Sequence, residues 1–201
     1  MKTIMACLSL VLACGCAALN PAVAPHTKNY SLADARTAAP VVQGASTAAL
    51  TLIVNPPHAA AGFDSEHIIY VRQASQLEYF AHNEWVDTPA RMLAPLIVAA
   101  IEQSGAFRAV VQVPSTAAGD MRLDTEILRL QHEFLSTPSR VRFTLRAYLV
   151  DTASRRVLAS REFEAVANAP SENPYGGVVA ASQAVRQVLE ELAAFCADAA
   201  R

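Results

Sequence analysis

The chain has 201 residues, 53% hydrophobic and 17% charged, with a formal net charge of −2 at pH 7. This near-neutral balance carries none of the electrostatic footprint of a nucleic-acid binder, and the 14 Arg against 2 Lys follow genomic base composition rather than function. Lys2 is the only charge ahead of an apolar run over residues 3–13, about half the ~20 residues that a membrane-spanning helix needs. The run ends on Ala13-Cys14-Gly15-Cys16, small residues followed at once by cysteine, which is how a bacterial lipoprotein signal ends. Cys16 after Gly15 is the favoured acyl acceptor, with Cys14 after Ala13 and Leu12 as the alternative, so residues 1–15 are read as a signal peptide. Ala17 is not the aspartate that retains lipoproteins in the inner membrane, which predicts an outer-membrane anchor facing the periplasm. Cleavage ahead of Cys16 leaves Cys196 as the one unmodified thiol, so no internal disulfide is expected.

Residues 16–48 are rich in Ala, Pro, Thr and Ser and read as a lipidated N-terminus and flexible tether, with the island Tyr30-Ser31-Leu32 docking as a short edge strand. A single folded domain is placed at residues 49–201, long enough for a real core. Its first strand covers residues 50–54 and is stopped by Asn55-Pro56-Pro57. A small-residue loop over 58–65 holds a lone Phe63. Residues 66–72 and 77–81 form a hairpin.

A helix follows, capped by Asp87 or Thr88, with Pro89 in its first turn and Met92, Leu93, Leu96, Ile97, Ala100 and Ile101 on one face. Gly105 lies past its end, and Pro95 in the second turn predicts a bend. After a short strand over 106–113, Met121, Leu123, Thr125 and Ile127 alternate before the apolar face jumps to Leu128 and Leu130. A bulge near Ile127 accounts for the jump. Residues 140–150 and 156–166 are two more antiparallel strands around a turn at 151–154, and 174–199 is an amphipathic helix. The fold is an α/β sandwich: a mixed, largely antiparallel sheet flanked by two main helices.

Chemistry is scarce. There is no Gly-x-Ser-x-Gly elbow or His-Glu-x-x-His motif, and the five histidines are scattered without ligand spacing, so no enzyme, cofactor or metal is expected. His82 and Glu84 read as a solvated rim, and Gly176-Gly177 as a close backbone approach rather than a phosphate loop. Arg140, Arg142 and Arg146 form an outward stripe that Asp124, Glu126, Glu162 and Glu164 can neutralise across the sheet. Tyr70, Tyr79, Phe80 and Trp85 concentrate aromatics within 16 residues. Phe63, Tyr70, Tyr79 and Trp85 are the candidate partner contacts. Trp85 is the strongest of them, unless it is a staple buried against Met92.

The order Ile68-Ile69-Tyr70-Val71-Arg72, Leu77-Glu78-Tyr79, Trp85, Thr88-Pro89 and Ser104-Gly105-x-Phe107 is distinctive as a set. With Leu128-Arg129-Leu130-x-x-Glu133-Phe134 and the hairpin from Arg140 to Phe163, the chain resembles the ABC-type transport auxiliary lipoproteins, the PqiC-like family. It departs from their pattern in the alanine-rich residues 58–61 and at Pro95. The resemblance implies a non-enzymatic periplasmic partner of a transport system built from an ABC ATPase, a permease and a mammalian-cell-entry-domain protein, moving lipids or hydrophobic compounds. In that role it docks the conduit to the outer membrane. The alternative is an outer-membrane assembly or envelope-maintenance lipoprotein that binds lipopolysaccharide or peptidoglycan.

Overall fold

A computed structural model describes residues 26–35 and 49–201; the signal, Cys14, Cys16 and most of the tether lie outside the described residues. The strands are Lys28–Tyr30 (β1), Thr51–Val54 (β2), His58–Ala59 (β3), His67–Val71 (β4), Glu78–Trp85 (β5), Ala109–Gln112 (β6), Met121–Glu133 (β7), Arg140–Asp151 (β8) and Val157–Asn168 (β9). Two long helices, Pro89–Gln103 (α1) and Pro174–Ala199 (α2), complete the fold.

All nine strands form one sheet, with β7 as its spine. One edge of β7 pairs antiparallel with β8 along its length, and β8 carries β9. The other edge is shared by β2, β3 and β4, each parallel to a different stretch of β7. From there β6 extends β2, while β5 and then β1 extend β4. The parallel ladders are short and the antiparallel ones long, so the sheet is mixed and mostly antiparallel by length. Its two-residue β3 falls where the sequence reads as loop, because two residues carry no alternation to detect.

Both helices pack on the same face of the sheet and against each other, around one apolar core. Val141, Phe143, Leu145, Ala147 and Leu149 of β8 all point into it, as their alternation requires. At the start of α1, Pro89 follows Thr88, whose N–H donates to the Asp87 carboxylate at 2.8 Å, while Arg91 pairs back to Asp87 one turn on. Pro95 sits on the exposed side and does not end the helix. Gly105, past the helix end, adopts φ +65°, a left-handed conformation that favours glycine. Asn173 caps α2 by accepting the Gly176 N–H at 2.9 Å.

The island at Tyr30 docks as β1 beside β5, and Leu32 and Ala35 behind it are fully buried. The described part of the 16–48 segment therefore belongs to the folded unit rather than to a loose tether.

Cys196, near the end of α2, is fully buried and its thiol is pushed up to about 12 by burial. A covered, protonated thiol neither attacks nor bridges a second chain. Maleimide should leave the native protein unmodified and label Cys196 in denaturant, with Tm unchanged by reductant. Rapid native labelling would contradict this burial.

Candidate functional site

β4 and β5 carry the aromatic concentration, and the structure splits it. Trp85 is only 3% exposed and belongs to the core, and Phe63 is buried as well, which removes both from the candidate contact surface. The reason is tertiary: Trp85 lines a small cavity with Gly177 and Ala181 of α2, so its ring is covered by that helix. Tyr70 is half-buried, and Tyr79 is 58% exposed.

Tyr70 anchors a cluster at the end of the sheet. Its ring lies 4.5 Å from Phe80 and meets Phe134 edge-on at 5.9 Å, and Phe134 packs 4.1 Å from His132. The Tyr70 hydroxyl donates to Glu78 at 3.0 Å, and Arg72 pairs with the same carboxylate while lying over the Tyr70 ring. Tyr79 stacks on His67 with centroids 4.3 Å apart, and His67 faces Glu84 at 3.6 Å. The register, Ile69 opposite Tyr79 and Tyr70 opposite Glu78, places the Tyr79–His67 pair on one face of the hairpin and the Arg72–Glu78 pair with Tyr70 on the other. Phe134 is a member that the sequence did not single out, because it sits past the end of β7 and joins the cluster only through strand pairing.

His132 is fully enclosed. Its Nε2 is hydrogen-bonded to Ser139 Oγ at 2.8 Å. Glu172 accepts the Ser139 backbone N–H at 2.8 Å, and the Ser139 hydroxyl further stabilises its carboxylate. His132 Nδ1 has no hydrogen-bond partner and faces Gly177. Serine thus stands between histidine and carboxylate, the reverse of a catalytic triad, and at 0% exposure it meets no substrate. A Cβ on Gly177 would collide with the His132 ring, and one on Gly176 with the Ser171 carbonyl, which explains the paired glycines as a close approach.

The cavity beside His132, lined by Ile68, Trp85, Leu130, Val141 and Ala181, measures about 10 Å³, room for no more than a water. Among the described residues, no helix is long and apolar enough to cross a membrane, and no group of three or more His, Cys, Asp or Glu can hold a metal ion.

On the uncovered face of the sheet the arginine stripe is paired. Arg142 bridges Glu133, at 2.8 Å, and Glu164, while Arg146 reaches Glu126 at 3.4 Å and Glu162 at 3.2 Å. Arg140 joins Glu133 at 3.0 Å. Asp124, expected in this ladder, is taken instead by Arg122 and the Asn55 amide. Glu133 is the member that the sequence missed. It is only 4% exposed, and burial pushes its carboxyl up, but hydrogen bonds from Arg142, Gln131 and Arg140 outweigh that and hold it below the ordinary range.

A family model described as ABC-type transport auxiliary lipoprotein component matches residues 30–193. The chain belongs to that family. A solved structure of a DUF330-family protein from Xanthomonas campestris is similar at 26% identity, with a TM-score of 0.68 over 75% of this chain and 85% of that one. An uncharacterised protein shares the fold at 14% identity and a TM-score of 0.65, covering 85% of this chain and 99% of its own. A hypothetical protein from Chlamydia trachomatis shares it at 9% identity and 0.50, over 76% and 98%. Among proteins of curated function no significant match exists. Family membership makes this chain an auxiliary lipoprotein component of an ABC-type transport system.

Acid should act on two of the buried groups. Glu133 has its folded pKa lowered, so its stabilisation is complete above the unfolded value near 4.5 and is lost as pH falls through the folded value. Burial lowers the His132 pKa, so below its ordinary 6.5 the unfolded chain gains a proton that the native state refuses, and stability drops there too. Chemical denaturation as a function of pH should show stability declining from about pH 6.5 downward. Glu133→Ala should cost about 3 kcal/mol at pH 7 and flatten the limb below pH 4.5. An unchanged acid limb in that variant would remove Glu133 from this account. Gly177→Ala should cost about 1–3 kcal/mol through overpacking on His132, read from the same denaturation curves.

Proposed function

We propose that this protein is a periplasmic lipoprotein, acylated at Cys16 and held on the outer membrane, that docks a mammalian-cell-entry-domain conduit to that membrane. The conduit is served by an ABC permease and ATPase and moves lipids or hydrophobic compounds across the envelope. The observation that carries this reading is the family match over residues 30–193, joined to the Gly15-Cys16 junction ahead of it. The geometry supports a binding role: the Ser-His pair is sealed, the cavity beside it has room for no more than a water, and the fold presents a stacked aromatic pair to solvent. In this reading residues 1–15 are removed as a signal, and the acyl chains on Cys16 make attachment effectively permanent.

Tyr79, stacked on His67, is the contact we assign to the partner, with Glu84 beside His67 on the same face. An aromatic that is already ordered loses little entropy on binding, which is why such residues become hot spots. Co-purification from the envelope decides the role: the intact lipoprotein should bring down a mammalian-cell-entry-domain protein. Mass spectrometry of the mature protein should find an N-terminus at Cys16 bearing acyl chains. An unmodified terminus, or one starting at Cys14, would overturn the Cys16 assignment.

Tyr79→Ala should leave thermal stability within about 0.5 kcal/mol, as expected for an exposed position. It should weaken partner binding by about 2 kcal/mol, roughly 30-fold, measured by titration of the purified proteins. Trp85→Ala should do the opposite, costing about 3–5 kcal/mol of stability through an empty core site. Unchanged partner affinity in Tyr79→Ala would move the docking surface away from the hairpin.

A further inference from the structure

α2 opens with an aromatic that the core does not use. Tyr175 is 62% exposed, and Val179, one turn later on the same helical face, is exposed as well. Beside them stands Tyr30 of β1, its ring centroid 6.5 Å from that of Tyr175 and its hydroxyl donating to Asn83 at 3.2 Å. The chain after β1 continues along the helix, where Arg186 donates to the Asp34 carbonyl. β1, the 3-10 turn Ala33–Ala35 and the first turns of α2 therefore form one ridge with an aromatic, apolar end. Lys28 is exposed and, two residues before Tyr30, falls on the same face of β1. Glu172, the acid nearest Tyr175 in sequence, is turned inward to Ser139, and the exposed acid of the ridge, Asp34, lies in the 3-10 turn beyond the aromatic end.

Phenol rings at an apolar boundary, with an ammonium beside them, match the headgroup level of a phospholipid bilayer, where tyrosine and snorkelling lysine settle. We propose that this ridge, Tyr30, Tyr175 and Val179 with Lys28, rests on the lipid surface of the membrane that holds the anchor. The inference depends on the reading of Cys16 as the acylated residue. Chain length selects the occupant. The roughly twelve residues from Cys16 to Lys28 can span at most about 43 Å. β1 is the first strand behind the anchor, so the ridge built on it is the part of the domain that the tether keeps nearest the bilayer. The acyl chains supply attachment and the ridge supplies orientation.

The test uses the full lipoprotein reconstituted in vesicles of phosphatidylethanolamine and phosphatidylglycerol, with an environment-sensitive fluorophore on Tyr175→Cys or, in a second variant, Val179→Cys. Cys196 is buried and stays unlabelled. A control label at Tyr148→Cys lies on the sheet face away from the helices. Labels at 175 and 179 should shift to the blue and be quenched several-fold more strongly by a nitroxide phospholipid than the control. Equal quenching at all three positions, with the protein floating alongside the vesicles, overturns the ridge and leaves the anchor standing. Failure of the wild-type lipoprotein to float overturns the anchor reading, and the ridge with it. Labels that are shielded from aqueous iodide yet untouched by the nitroxide lipid identify a protein contact, such as a second copy, and also overturn the proposal.

Discussion

One extra residue in β7, between Ile127 and Arg129, decides what each face of this sheet can do. Before it, Met121, Leu123, Thr125 and Ile127 face the helices; after it the buried set becomes Leu130 and His132. Strand periodicity is two, so without the shift the second half of β7 would turn its apolar side to water. The bulge corrects that. It also has two chemical consequences: it delivers His132 to Gly177 and Ser139 on the helix side, and it puts Arg129 and Glu133 on the side where β8 presents its arginines.

That second consequence determines the electrostatics of the uncovered face. An isolated, nearly buried carboxylate at Glu133 would cost several kcal/mol and would protonate instead. Here two guanidinium groups and the Gln131 amide surround it, and the hydrogen bonds win over the desolvation. The rest of the ladder, Arg146 with Glu126 and Glu162, is more exposed and adds little stability pair by pair. What the ladder does is neutralise the stripe, leaving little net positive field to gather phosphates.

Much of this was legible in the sequence where a local pattern met a physical period. The alternation of residues 140–150 predicts β8, the jump after Ile127 predicts the bulge, and the three- and four-residue spacing from Val178 to Phe195 predicts α2. What the pattern could not supply is who covers whom. Trp85 reads first as a partner contact, because its burial beside Gly177 and Ala181 of α2 is a contact across the fold. Glu133 escapes for the same reason, since its two arginines reach it only through the register of β7 with β8. Asp124 is misjudged because Asn55, far away in sequence, arrives beside it when β2 pairs with β7. Parallel pairings in particular leave no local trace, and five of the ladders in this sheet are parallel.

With one sheet face neutralised by its own ladder and the other occupied by helices, recognition is left to the rims. Two of them carry aromatics held by neighbouring rings: Tyr79 on His67 at the β4–β5 hairpin, and Tyr175 beside Tyr30 where β1 meets α2. They differ in support. The hairpin rim has the His67–Glu84 pair to fix the approach of a polar partner, whereas the β1 ridge offers a valine, two phenols and Lys28, with Asp34 farther along its 3-10 turn. A directional polar frame suits a folded protein surface, where register matters. A loosely polar, aromatic edge suits an interface with no register to match, which is what a lipid headgroup layer presents. The two ends of one strand system thus carry two exposed aromatic edges, at Tyr79 and at Tyr175, outside the face that the helices cover.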